Sequence, residues 1–204
     1  MNKITIYLVS NNIANKRLIN DKNNDNIEYR IRNLSLNKEG IDSAIKISKC
    51  LDNINYIYSS TYNTAIETAN YLSIKFKRKV RLDNRLDLRK IGINKLSELP
   101  NYYYEQSFLD SNYKLMNGES QEEVRNRMYS FISEVLNKHN NKNIVIVTHS
   151  VCILYLLKKW CIINYDGNAI FNNKQILNSD IKDPNIFKLD FEKYELKAIT
   201  KTTI

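Results

Sequence analysis

Three polar clusters follow directly on apolar, β-branched runs. They are Ser10-Asn11-Asn12 after residues 4–9, Ser59-Ser60-Thr61 after 56–58, and Thr148-His149-Ser150 after 144–147. Runs of this kind form buried strands. If the strands are parallel neighbours, the clusters converge at their carboxyl ends, where open α/β sheets bind ligands. His149 is the residue among them able to act as nucleophile or general acid–base. A histidine at such a place is either a structural residue or a catalytic one, and its strand-to-helix junction raises the odds of the second. The other histidine, His139, lies in the polar stretch Lys138-His139-Asn140-Asn141 and is expected at the surface. No His, Asp or Glu cluster has ligand spacing, so neither a metal nor a cofactor is expected.

The elements that must position these clusters are legible in outline. Asn37 is a suitable N-cap for a helix with apolar positions Ile41, Ala44, Ile45 and Leu51. Ala65, Ile66, Ala69 and Leu72 mark a second helix, and Val80-Arg81-Leu82 a short strand. Residues 89–117 read as irregular and tyrosine-rich, with Tyr102, Tyr103, Tyr104 and Tyr113. Ser120 and Glu123 form a capping box for a helix whose apolar face runs through Val124, Met128, Phe131, Ile132 and Val135. From about residue 185 the alternation suits edge strands. Strands alternating with helices predict a three-layer α/β sandwich, its mostly parallel central sheet flanked by helices.

With 204 residues, 43% of them hydrophobic, four glycines and two prolines, the chain is expected to form one domain over 1–204 without linker or repeat. The formal charge of +9 raises the alternative of a nucleic-acid binder. The basic residues are scattered, though, and the densest group, residues 75–79 with Arg81, reads as a solvated surface. Nucleic acid is therefore not the expected partner. No apolar run is long enough for a membrane span, and the N-terminus lacks the pattern of a signal peptide. Cys50, Cys152 and Cys161 have neither disulfide-framework nor zinc spacing, which suits a reducing cytoplasm.

The order of these features resembles the histidine phosphatase superfamily, with its phosphoglycerate-mutase-like fold. Leu8-Val9-Ser10-Asn11-Asn12 stands where that family has Leu-Val-Arg-His-Gly. Leu36-Asn37-Lys38-Glu39-Gly40 resembles its Leu-Thr-x-x-Gly helix start. The stretch from Ser59-Ser60-Thr61 through Thr64-Ala65 to Thr68-Ala69 is similar to its Ser-Ser-Pro-Leu-x-Arg-Ala-x-x-Thr-Ala. Leu86-Asp87-Leu88, followed by Gly92, matches Leu-x-Glu-x-x-x-Gly, and Gly118-Glu119-Ser120 and the strand ending in His149 complete the series. Together these cover roughly residues 4–158, in family order. The segment 93–117 falls where the family carries a substrate-covering, lid-like insertion.

What the resemblance implies for chemistry is mostly loss. In the family a first histidine attacks phosphorus, two arginines and the second histidine bind the phosphoryl oxygens, and an acid protonates the leaving group. Carried over by position, the nucleophile is Asn11, the arginines are Ser10 and Thr64, and the acid is Leu88; His149 alone is retained. An amide nitrogen has its lone pair delocalised into the carbonyl. Losing a covalent nucleophile costs about 10⁴–10⁶ in rate. Each cationic donor to a phosphate contributes roughly 1.5–3 kcal/mol. Lys16, Arg17, Arg89 and Lys90 stand beside the altered positions as substitute cations, or else as surface charges; Asp87 is a substitute acid, though strand alternation would turn it the other way.

The leading expectation is a pseudoenzyme, non-catalytic or severely impaired, that keeps a crevice for a small anionic ligand or a protein partner. The alternative is an active phosphatase or mutase using His149 with rearranged groups. Pairing with a second copy, as a homodimer, is left open.

Overall fold

The computed structural model describes residues 2–11, 13–14, 26–164, 167–178 and 184–202. Its centre is a sheet whose inner strands are apolar on both faces, as burial between two helical layers requires. Strand β1 (Lys3–Ser10) lies parallel to β4 (Lys142–Thr148), which lies parallel to β2 (Tyr56–Ser59), which pairs with β3 (Val80–Leu82). On the other side β1 pairs antiparallel with β8 (Asn185–Glu192), and β8 with β9 (Glu195–Thr202). The order is β3-β2-β4-β1-β8-β9. The chain is thus an α/β protein with a mostly parallel central sheet flanked by helices.

One sheet face packs on α2 (Lys38–Cys50) and α3 (Asn63–Phe76), through Val9, Ile47, Ile57, Ala69, Leu72, Val145 and Val147. The opposite face packs on α5 (Gln121–Lys138) and α6 (Ser150–Leu157), through Ile6, Leu8, Ile146, Met128, Phe131, Ile153 and Leu156. Each of the Val, Leu, Ile, Met and Phe side chains among them contributes about 1.5–3 kcal/mol on burial. The caps read from sequence are present. Asn37 accepts from Gly40 N at 2.8 Å, and Ser120 and Glu123 exchange hydrogen bonds of 3.1 and 2.8 Å.

Gly40 must be glycine because a Cβ there would sit 2.2 Å from the Ile13 carbonyl oxygen, where the chain leaving β1 crosses α2. Gly92 (φ +87°) is held against Gly118, whose amide nitrogen a Cβ on Gly92 would approach to 2.3 Å. That close approach lets Glu119 N donate to Lys90 O at 2.7 Å, clamping residues 85–92 to the start of α5.

Several features depart from the sequence expectation. Helix α1 (Ile27–Arg32) and helix α4 (Tyr103–Leu109) are both short, and α4 breaks the tyrosine-rich segment read as irregular. A separate antiparallel sheet of β5 (Ile162–Ile163), β6 (Ala169–Phe171) and β7 (Lys174–Leu177) follows α6. β8 is not an edge strand: Asn185, Ile186 and Phe187 are fully buried between β1 and β9. His139 is not at the surface either. It is buried under Tyr56, with ring centroids 4.0 Å apart, and its Nε2 meets the Tyr58 hydroxyl at 3.0 Å. The C-terminus of α5 folds back over β2, and burial lowers the pKa of the ring. Among the described residues no helix is long and apolar enough to cross a membrane.

Candidate active site

The parallel register brings the three polar clusters to one edge: Ser10 pairs with Thr148, and Ser59 with Val147, so Asn11, Ser60 and His149 leave the sheet side by side. His149 is buried, and its Nε2 lies 3.0 Å from Ser60 Oγ. Ser60 Oγ in turn donates to Asp87 Oδ1 at 3.0 Å. A carboxylate can only accept, so the single hydroxyl proton of Ser60 points to Asp87. The His149–Ser60 contact is then an Nε2–H donating to Oγ. The ring packs edge-on against Tyr62, centroids 5.0 Å apart. Burial first, then the charges of Arg127 and Arg32, push its pKa down to about 3, so His149 is neutral at physiological pH.

Asp87 is the hub of the site, contrary to the alternation argument. Residues 84–86 form a 3₁₀ turn rather than a strand, so the side chain after them has no strand partner face and turns inward. Asp87 Oδ1 accepts from Thr61 N at 2.7 Å, and Oδ2 from Thr61 Oγ1 at 2.8 Å and Arg32 Nη2 at 3.2 Å. Arg32 Nη1 also donates to Thr61 Oγ1 at 2.6 Å, and its guanidinium lies 4.6 Å over the Tyr62 ring. Buried next to these charges, the Tyr62 phenol is pushed up to about 12, by desolvation above all. Thr148 Oγ1 donates to Leu86 O at 2.7 Å, and Arg127 Nη1 and Nη2 donate to Arg85 O and Asp87 O. Glu119 holds the Arg127 guanidinium at 2.7 Å.

Asn11, the residue that the resemblance aligns with the family's nucleophile, is buried. Its Nδ2 donates to Gly40 O at 2.8 Å and to Thr68 Oγ1 at 3.1 Å, while Oδ1 has no partner among the described residues. Ser10 is buried and accepts from Ser150 Oγ at 2.9 Å. Thr64 lies buried in the first turn of α3, and its carbonyl accepts from Thr68 Oγ1 at 2.9 Å. Leu88 packs half-buried against the core and lines the crevice. That crevice has a volume of about 570 Å³, and its walls include Arg32, Thr61, Tyr62, Asp87, Lys90 and Arg127.

Of the substitute cations, Lys90 lines the crevice and Arg89 does not. The Arg89 guanidinium donates to Glu119 O (2.8 Å), Tyr155 Oη (3.2 Å), Ser107 Oγ (3.3 Å) and Tyr113 O (3.2 Å), which binds it into the tyrosine-rich segment. One residue's step along the 87–92 loop separates the two directions. Lys16 and Arg17 lie outside the described residues, as does Asn12. Sequence reasoning missed Arg32 and Arg127. Arg32 ends a helix too short to show periodicity, whereas Arg127 carried a signal: it is a charge three residues from Val124 on an apolar helix face. Among the described residues no group of three or more His, Cys, Asp or Glu side chains could hold a metal ion.

The model of the histidine phosphatase superfamily (branch 1) matches residues 20–179, and the chain belongs to that family. Solved structures similar to it include YhfR of Bacillus stearothermophilus (17% identity, 95% of this chain and 94% of that one, TM-score 0.69). A second is a mycobacterial glucosyl-3-phosphoglycerate phosphatase (16% identity, 92% and 90%, TM-score 0.65). A third is a phosphoserine phosphatase mutant from Entamoeba histolytica (17% identity, 97% and 96%, TM-score 0.66). No curated protein sequence matches the chain.

Proposed function

We propose that this protein is a pseudoenzyme of the histidine phosphatase superfamily, non-catalytic or severely impaired, whose crevice binds a small anionic ligand or a protein partner. The observation that carries this reading is Asn11. Its amide nitrogen offers no lone pair to phosphorus, and it is held as a donor on Gly40 O and Thr68 Oγ1. The retained His149 does not replace it, because Nε2 carries its proton toward Ser60. Two of the crevice cations are also occupied: Arg32 by Asp87, and Arg127 by Glu119. The segment 93–117 is tied down by Arg89 through Ser107 and Tyr113 and lends no residue to the lining of the crevice.

One observation favours the second reading, residual phosphatase activity. Asp87 does enter the crevice, and through Ser60 it is two hydrogen bonds from His149. The test is a panel of phosphomonoesters, including phosphoserine and glucosyl-3-phosphoglycerate, with acid-labile phosphoenzyme sought after rapid quenching. The expected result is no turnover above the His149→Ala variant and no phosphohistidine. Robust turnover abolished by His149→Ala, with phosphate trapped on His149, would overturn the proposal.

A further inference from the structure

Beside the crevice, and sharing Glu28, Tyr62 and Leu88 with it, lies a smaller pocket of about 50 Å³. Its walls are mostly apolar: Ile27 and Ile31 of α1, with Leu88, Ile91, Ile93 and Leu96 facing them. Ile27 N donates to Asn94 O at 2.9 Å, which pins α1 to this stretch and builds the pocket into the fold. A water-sized probe occupies roughly 10–15 Å³, so the space takes about four heavy atoms. The Arg89 guanidinium is spent elsewhere, on Glu119 O, Tyr155, Ser107 and Tyr113 O. Three polar groups remain uncommitted around the junction of pocket and crevice. Tyr62 is only 3% exposed, yet its hydroxyl makes no hydrogen bond among the described residues. Burial pushes that phenol up to about 12, so it keeps its proton as a donor. The half-buried Glu28 carboxylate and the exposed Lys90 ammonium likewise make no hydrogen bond or ion pair among the described residues. The other charges of the crevice are matched: Arg32 with Asp87, Arg127 with Glu119, and Arg85 with Asp83 and Glu134.

We propose that pocket and crevice together bind a free α-amino acid with a branched aliphatic side chain of leucine size. An isobutyl group has the four carbons that the apolar pocket holds. Glu28 accepts from the ammonium, while Lys90 and the Tyr62 hydroxyl donate to the carboxylate. One uncommitted anion and one uncommitted cation suit a zwitterion. A plain carboxylate would leave Glu28 beside it without a counter-charge, and a plain amine would leave Lys90 so. A phosphate dianion would meet Glu28 with only one uncommitted cation to offset it. The inference deepens the proposed reading by naming the ligand class, and rests on that reading for a crevice that binds without transferring phosphate.

The test titrates the full chain with L-leucine and follows the methyl signals of Ile31 and Ile91 by NMR. Alanine, 4-methylpentanoate and leucinamide are the comparators. Leucine should give saturable shifts of both methyl signals. Alanine lacks three carbons and should bind tenfold or more weakly, at roughly 0.8 kcal/mol per CH₂. Leucinamide, without the carboxylate, and 4-methylpentanoate, without the ammonium, should each bind several-fold more weakly than leucine. Glu28→Gln should weaken leucine by roughly tenfold and strengthen 4-methylpentanoate, a reversal that a merely structural role would not produce. Tyr62→Phe should weaken leucine several-fold and leave the urea midpoint unchanged or higher. The inference is overturned if leucine does not saturate the Ile31 and Ile91 shifts, if alanine binds as well, or if Glu28→Gln changes neither ligand. It is also overturned if leucinamide binds better than leucine, which would point to the amino terminus of a partner chain. Phosphatase turnover would defeat the pseudoenzyme reading and leave leucine binding standing, whereas loss of leucine binding without turnover would defeat this inference alone.

Discussion

Acid should destabilise this protein through His149, by an amount set by the burial of that ring. In the unfolded chain a histidine titrates near pH 6.5; in the fold His149 does so at about 3, burial being the largest cause. Above pH 6.5 both states are neutral and the full stability is present. As the pH falls below 6.5 the unfolded chain takes up a proton that the folded one refuses, and stability is lost at about 1.4 kcal/mol per pH unit. Between pH 7.5 and pH 5 the loss is about 2 kcal/mol, a large share of the 5–15 kcal/mol typical of a domain. His139, also lowered by burial, adds in the same direction. Urea unfolding of wild type and His149→Gln at both pH values isolates the one group, since glutamine can keep a donor on Ser60 without titrating. The variant should lose about 2 kcal/mol less than the wild type over that interval. An equal loss in the two proteins would refute the argument, because it would mean that the folded state protonates this ring as readily as the unfolded one.

Two further substitutions probe what holds the site. Asp87→Asn keeps the shape but places an NH₂ among groups that donate to the carboxylate, Ser60 Oγ, Thr61 N and Arg32; it should cost about 2–3 kcal/mol in urea unfolding, and a change of a few tenths would show that the carboxylate is not the hub. Arg89→Met keeps the aliphatic stem but removes the guanidinium's bonds to Ser107, Tyr113, Tyr155 and Glu119. Amide exchange across Tyr103–Leu109 should speed up about tenfold or more while β4 is unaffected; unchanged exchange there would mean that the segment is held by its own packing.

The fold was legible in the chain because its signals are local. β-branched runs, helical spacing and two N-caps each lie within a few residues, and polar clusters after three strands mark a shared edge once the strands are parallel. Asn11, Ser10, Thr64 and Leu88 likewise stand, in the resemblance, where the family carries its nucleophile, cations and acid, and residue type is read directly from the chain. What escaped the sequence is whatever depends on direction. Asp87 turns inward because a 3₁₀ turn replaces the strand whose alternation would have sent it out. Arg89 and Lys90 are adjacent, yet one enters the tyrosine-rich segment and the other the crevice. His139 sits in a polar stretch and is buried, since the C-terminus of α5 lies over β2. Ile27, Leu88 and Ile93 wall one pocket only because α1 is pinned to Asn94, a contact that no local pattern spans. Sequence by itself determined which residue types stand at the strand ends and in the family's order; tertiary structure decided which polar groups face one another, because side-chain direction and long-range register are set by packing and not by neighbours in the chain.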